Sequence, residues 1–218
     1  MKINLKEFEN LILEYEDIFW DYDDTLSNTV IKKGDAYVDL FNDYPNDLKI
    51  FIKKDHENRP GVSRYKKVPF YIKQSQKYII RELKSESLLQ DFSKYCIDIL
   101  INEPFIKSFE NIIRKTNLNI KHHILTNMPQ LEIDTILKYK NLENNFKTIN
   151  GSIINKELFL KQFLKNHKNI SKIIFIGDSE GDLNAALANN IEFVLKATKL
   201  NKNLQLNSNC KVLDLNIK

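Results

Sequence analysis

The chain has 218 residues, 42% of them hydrophobic, which is enough to bury one full core and a smaller second one, and no stretch approaches the length of a membrane span. Lysine and arginine exceed aspartate and glutamate by 33 − 29 = 4, a mild excess that suits an anionic small molecule and falls short of a nucleic-acid-binding signature. Cys96 and Cys210 show neither CxxC spacing nor a histidine cluster, which argues against a zinc site or a disulfide framework; with a charge-interrupted start, Met1 to Glu7, they predict reduced thiols and a cytoplasmic location.

In chain order, Leu5, Phe8, Leu11, Ile12 and Tyr15 recur at helical spacing and predict an amphipathic helix over residues 5–15. The apolar run Ile18-Phe19-Trp20 then predicts a short buried strand ending in Asp21-Tyr22-Asp23-Asp24-Thr25-Leu26. Open α/β sheets place their ligand sites at such carboxyl ends. Asp21 and Asp23 repel each other unless a cation neutralises them, and an oxygen-only cluster suits Mg²⁺; an acidic turn is the plain alternative for this stretch alone.

Over residues 27–104 apolar side chains recur three and four apart, at Tyr37, Leu40 and Phe41, from Leu48 to Phe51, at Tyr78, Ile79 and Leu83, and from Leu88 through Leu100. No strand alternation is clear there, so a helical subdomain is expected, inserted into the first. Within it, residues 55–67 lack helical periodicity, contain a Pro60-Gly61 turn signal and concentrate His56, Arg59, Ser63, Arg64 and lysines. Guanidinium and hydroxyl groups suit a polyhydroxylated or carboxylated ligand, which makes these four candidate substrate contacts, against the alternative of a solvated basic loop.

After Phe105 the pattern gives a helix over 106–115, a strand His123-Ile124-Leu125 running into Thr126-Asn127, a helix over 130–139, a short strand over 146–149 and a helix carrying Leu158, Phe159, Phe163 and Leu164. The β-branched strand Ile173 to Ile176 then meets Gly177-Asp178-Ser179-Glu180-Gly181-Asp182, followed by a helix over 183–188, an Asn189-Asn190 stop, a strand over 191–195 and an edge strand over 212–215. The alternation predicts an α/β fold: a Rossmann-like core of residues 1–26 and 105–218, with a parallel sheet flanked by helices, and a small, mostly helical subdomain of residues 27–104. His122 and His123, with no acidic neighbour in sequence, read as structural.

Three strand ends thus present Asp21 with Asp23, Thr126 with Asn127, and Asp178 with Asp182, and a parallel sheet gathers such ends at one edge. The set resembles the haloacid dehalogenase (HAD) superfamily of aspartate-nucleophile phosphohydrolases, of the phosphoglycolate-phosphatase and β-phosphoglucomutase kind. The family's DxDxT motif matches Asp21-Tyr22-Asp23-Asp24-Thr25, its apolar strand ending in threonine matches Ile124-Leu125-Thr126, and its GDxxxD motif matches Gly177-Asp178 through Asp182. Its lysine at the start of the helix before the last motif strand matches Lys156, with Lys161 as the alternative and Glu157 standing where many relatives have proline.

The resemblance implies an aspartyl-phosphate mechanism, with Asp21 as nucleophile, Asp23 as general acid and base, and Thr126 and Lys156 holding the phosphoryl group. It implies Mg²⁺ on the Asp21 carboxylate, the Asp23 carbonyl and Asp178, with Asp182 reaching it directly or through water; Asp182 as a plain helix cap is the alternative. Carbon-halogen-cleaving members lack the second aspartate, so Asp23 favours phosphoryl transfer. The insertion corresponds to a cap that closes over the site and reads the leaving group. Its loop resembles the H-x-x-x-x-G-x-S-R-[YF]-x-K segment of small phosphatases, some of them associated with surface-carbohydrate synthesis. The expected activity is a Mg²⁺-dependent phosphomonoesterase acting on a small phosphorylated metabolite such as a sugar or polyol phosphate, with Asn127 among the substrate contacts and neither nucleic acid nor membrane as partner. A phosphosugar mutase of the same fold is one alternative, and a non-catalytic basic nucleic-acid-binding module is another. Asp24, Thr25 and Leu26 are expected to lie outside the chemistry.

Overall fold

The computed structural model describes all residues except 60, 79, 81, 116–118, 168 and 218. The chain divides into two units, Met1–Asn28 with Pro104–Lys218, and Thr29–Glu103. In the first unit β1 (Lys2–Ile3), α1 (Leu5–Ile12) and β2 (Asp17–Trp20) come first. The second unit follows as α2 (Val30–Asp39), α3 (Asn46–Asn58), α4 (Arg64–Ser75) and α5 (Ser85–Leu100). The first unit resumes with α6 (Lys107–Lys115), β3 (Lys121–Leu125), α7 (Gln130–Tyr139), β4 (Thr148–Asn150), α8 (Lys156–Leu164) and β5 (Ile173–Gly177). It ends with α9 (Glu180–Ala188), β6 (Glu192–Lys196), α10 (Lys202–Asn207) and β7 (Lys211–Leu213). No described helix is long and apolar enough to cross a membrane.

The strands form one sheet in the order β1-β7-β6-β5-β2-β3-β4, with every pairing parallel. β2 and β5 are buried along their whole length, as strands covered on both faces must be, and this is why they read as unbroken apolar runs. Register decides where the site forms. Trp20 lies level with Ile124 on one side and Ile176 on the other, so the residues that follow all three leave the sheet at one edge. The chain quits this unit at Asn28 and returns at Pro104, and the two crossings are tied together: the Ser27 hydroxyl donates to the Pro104 carbonyl (2.9 Å) and the Ile106 amide to the Leu26 carbonyl (2.8 Å).

Several boundaries differ from expectation. α1 stops at Ile12, three residues short, with a capping box between Asn4 and Glu7 fixing its start. The strand near the tail is not an edge strand: β7 pairs with β6 on one side and β1 on the other, and the two-residue β1 is too short to show any periodicity. Residues 55–67, expected as a loop, are mostly helical, because α3 runs through Asn58 and α4 begins at Arg64, where Ser63 accepts from the Tyr65 amide. Pro60 of the expected turn and Ile79 of the expected helical pattern lie outside the described residues. The helices of the second unit pack around Tyr37, whose ring stacks on Phe92 at 4.0 Å and meets Tyr71 edge-on.

Both histidines of β3 have structural partners. His122 Nδ1 accepts from the Trp20 indole (3.0 Å), and burial, with His123 adding to it, lowers its pKa to about 4, so the ring is neutral. His123 stacks on Phe19, and its Nε2 lies 2.9 Å from Asp17 Oδ1; a carboxylate only accepts, so this nitrogen carries a proton. The acidic partner absent from the local sequence is thus supplied by β2, 106 residues away. Burial pushes the Asp17 carboxyl up, but the His123 hydrogen bond and charge, with Lys121 and His167 behind them, outweigh it and hold the pKa below the usual range. His123→Leu should therefore leave a buried carboxylate without its partner and cost about 3 kcal/mol in urea denaturation at pH 7. A carboxyl with a lowered folded pKa stabilises above its unfolded value of about 4, and that stability disappears as pH falls through the folded value. Between about pH 5 and 3, wild-type stability should consequently fall more steeply than that of Asp17→Asn.

Candidate active site

At the end of β2 the Asp21 amide donates to the Ile176 carbonyl (2.9 Å), which fixes its carboxylate at the sheet edge. The chain then turns sharply: Leu26 and Ser27 amides both donate to the Tyr22 carbonyl, and the Asp24 amide donates to Ser27 O at 2.7 Å. Asp24 has φ +54, a left-handed conformation that aspartate tolerates better than most residues. Tyr22, Thr25 and Leu26 are buried beneath this turn, while Asp23 is half-buried.

Lys156 is the first residue of α8, whose start is set by Asn155 accepting from the Leu158 amide. Its buried ammonium donates to Asp21 Oδ1 and to Asp182 Oδ1, at 2.5 Å each. Burial disfavours the charged form, but the two carboxylates outweigh it and push the pKa above that of a free lysine, so Lys156 stays protonated. Lys161, the alternative, is exposed on the same helix. Asp182 serves two ends at once. Its Oδ2 accepts from the Ser179 amide (3.1 Å) and hydroxyl (2.7 Å), capping α9 and starting that helix at Glu180, while its Oδ1 faces Lys156. Glycine is required just before: a Cβ on Gly177 would lie 2.6 Å from the Asp182 carboxyl group.

One carboxylate oxygen each from Asp21, Asp178 and Asp182 lie within 4.8 Å of one another. Burial pushes the Asp21 pKa up to about 7, with Asp182 and Asp23 adding to the rise and Lys156 opposing it. Asp178 is also driven well above the carboxylate range by burial, then by Asp21, Asp182 and Asp24. Three carboxylates against one ammonium leave an uncompensated negative charge in a desolvated place. An oxygen-only set with that deficit fits a hard divalent cation.

Thr126 follows β3 and is buried; its amide donates to the Asn150 carbonyl (3.0 Å), and its hydroxyl accepts from the Met128 amide (3.2 Å). Asn127, next to it, is exposed. Two further groups at this edge escaped the sequence reading. Lys196, buried at the end of β6, donates to Asn28 Oδ1 (3.2 Å), and the charges of Asp24 and Asp178 counter the effect of its burial. Asn201 donates from one amide nitrogen to the carbonyls of Asp178 (2.7 Å) and Lys196 (2.9 Å), which ties the loop after β5 to the end of β6. The one signal for Lys196 was a charge closing an apolar strand; Asn201 had none.

The four loop candidates belong to the second unit. His56 is buried, with Nε2 on the Val30 carbonyl (2.9 Å) and Nδ1 against Lys67 Nζ (2.7 Å), so both ring nitrogens are engaged within that unit. Arg59 grips Asp55 through both carboxylate oxygens (2.6 and 2.7 Å) and lies over the Phe70 ring. Ser63 starts α4, and Arg64 donates to the Ser93 hydroxyl (3.1 Å) while stacking over Phe92.

No protein-family model and no curated protein matches the sequence. Solved structures do match. A predicted phosphoglycolate phosphatase from Haemophilus somnus superposes with a TM-score of 0.72 at 17% identity, covering 91% of this chain and 94% of that one. A haloacid dehalogenase-like family hydrolase, SP0104 from Streptococcus pneumoniae, gives 0.67 at 16% identity over 92% and 94% of the two chains. A protein described as a HAD-hydrolase, YfnB from Bacillus subtilis, solved bound to magnesium, gives 0.65 at 18% over 84% and 88%. At these identities the likeness establishes the fold alone: a Rossmann-like core with a helical insertion, as in these structures.

The charge imbalance has a measurable consequence. In chelator-treated buffer at neutral pH, Asp178→Asn should raise stability by about 1 kcal/mol, since it removes repulsion without touching the bonds of Lys156. Millimolar Mg²⁺ should raise the melting temperature of the wild type and leave that of the variant nearly unmoved, as read by thermal denaturation with and without the ion.

Proposed function

We propose that this chain, which has the fold of the haloacid dehalogenase-like hydrolases, is a Mg²⁺-dependent phosphomonoesterase acting on a small polar ester such as a sugar or polyol phosphate. The observation that carries the reading is the Lys156 ammonium bonded to Asp21 and Asp182 beside Asp178. It supports an aspartate nucleophile kept in line by a fixed cation at the place where an anionic phosphoryl group must be received.

In the first step an Asp21 carboxylate oxygen attacks phosphorus, the P–O bond to the alcohol breaks, and Asp23 gives its proton to the departing oxygen. In the second, Asp23 takes a proton from water as the water oxygen attacks phosphorus, and the bond between phosphorus and Asp21 breaks, restoring both carboxyl groups. Lys156 keeps its proton throughout and, with the Thr126 hydroxyl and the amides that follow it, offers donors to the phosphoryl oxygens. Asp21, Asp178 and Asp182, with the main-chain carbonyl of Asp23, would hold Mg²⁺, which supplies the positive charge that lets a carboxylate and a phosphate dianion approach. Asn201 steadies this set through the Asp178 carbonyl.

The helical unit is read as the cap that selects the leaving group, with Arg59 and Ser63 near its loop as contacts and His56 and Arg64 shaping the unit from within. The mild net charge of +4 gives no electrostatic footprint for a polyanion, which speaks against nucleic acid as ligand. A phosphosugar mutase of this fold would return an isomerised phosphosugar, whereas the proposed enzyme releases inorganic phosphate, and product analysis separates the two. Asp21→Asn should keep its fold by circular dichroism and lower Mg²⁺-dependent hydrolysis of p-nitrophenyl phosphate by at least about 10³-fold. Turnover surviving that change would remove Asp21 from the nucleophile's role.

A further inference from the structure

The second unit holds a pocket of its own, of about 610 Å³, lined by Arg59, Gly61, Ser63, Lys66, Lys67 and Phe70 among others. The charge of Arg59 is already matched by Asp55. Lys66 is exposed and has no side-chain partner among the described residues. Lys67 is the unusual member. It is 1% exposed, and its Nζ bonds to His56 Nδ1 at 2.7 Å and lies 5.6 Å from the centre of the Tyr37 ring. His56 Nε2 faces the Val30 carbonyl, which only accepts, so that nitrogen holds the ring proton and Nδ1 offers Lys67 a neutral lone pair. Among the described residues no carboxylate pairs with Lys67. A buried ammonium whose partner is a neutral imidazole is under-compensated, and an anion in the adjoining pocket would correct this.

We infer that this pocket binds an anionic group, a carboxylate or phosphate carried on a small molecule, between Lys67, Lys66 and the Ser63 hydroxyl, with Phe70 as its apolar wall. Every group involved lies in the helical unit, so anion binding stands apart from the chemistry of the first unit, while its use for the far end of a substrate rests on the proposed function. The groups around Lys67 are Asp55 and His56 on α3, Arg59 immediately after that helix, Tyr37 on α2, and Lys66 and Tyr71 on α4. Burial pulls the Lys67 pKa down to about 7, with Asp55 opposing and Arg59 assisting. Anion binding favours the charged form, so it takes up a proton above that pH, and affinity declines by up to about tenfold per unit as pH rises further.

The test is calorimetric titration of the full chain with malonate, a dianion throughout the neutral range, in chelator and without divalent ions. Wild type and Asp21→Asn should bind alike. Lys67→Met should weaken binding about tenfold or more and abolish its pH dependence, and Lys66→Gln, on an exposed position that folding does not need, should weaken it several-fold. If the anion is the far end of a substrate, Lys67→Met raises KM for phosphomonoesters bearing a second anionic group and spares KM for p-nitrophenyl phosphate. If it is a free effector, malonate alters p-nitrophenyl phosphate turnover in wild type and not in Lys67→Met. No binding at about 20 mM, or equal affinity in wild type and both lysine variants, overturns the inference.

Discussion

One ammonium shared between two carboxylates is the interaction on which the geometry of the first unit's acidic centre depends. Lys156 reaches Asp21 at the end of β2 and Asp182 in the first turn of α9, the helix that follows the neighbouring strand β5. Its position follows from the Asn155 cap, which starts α8 at that residue, and the position of Asp182 follows from the Ser179 cap and the missing Cβ of Gly177. The site is therefore set by helix starts as much as by strand ends. A lysine inside α8, a turn further on, points to solvent, as Lys161 does.

This arrangement does not serve stability. Taking charges out of water costs several kcal/mol per ion, and the deficit left by Asp178 and the second carboxylate next to Lys156 adds repulsion to that cost. Hydrophobic side chains of similar size would make a sturdier edge. That such a cluster persists at the carboxyl edge of the sheet is the pattern of a site held for function at the expense of folding energy. Asp17 with His123 provides the contrast: there a single carboxylate has its hydrogen bond in place with Lys121 and His167 close behind, and the contact joins β2 to β3.

The legible parts of the sequence were those where one physical cause acts alone. The central strands read correctly at Ile18 to Trp20 and Ile173 to Ile176 because burial on both faces leaves no room for alternation, and the site aspartates stand directly behind them. Lys156 was visible as the first residue of an apolar helix face. The two-residue β1 carries no pattern at all, and residues 55–67 misled because the ends of α3 and α4 are largely polar, so their helicity is fixed by packing around Tyr71 and Val68 rather than by an apolar stripe. Lys196, Asn201 and the His56–Lys67 contact depend on neighbours brought together by folding, and no local spacing encodes them.

The strand order also fixes a timetable for synthesis. β2 is made early, but its two sheet neighbours, β3 and β5, emerge roughly 100 and 150 residues later, and β1 waits for β7, which is made last of all the strands. Loops of that length must close before the sheet gains anything, whereas the helices of Thr29–Glu103 find their partners nearby in sequence and can pack while the chain is still being extended. On a translating ribosome the helical unit is thus poised to finish first, hanging from a strand whose edges remain open. The acidic residues at the end of that strand stay in water, and in their ordinary ionised state, until β5 and α8 arrive to bury them.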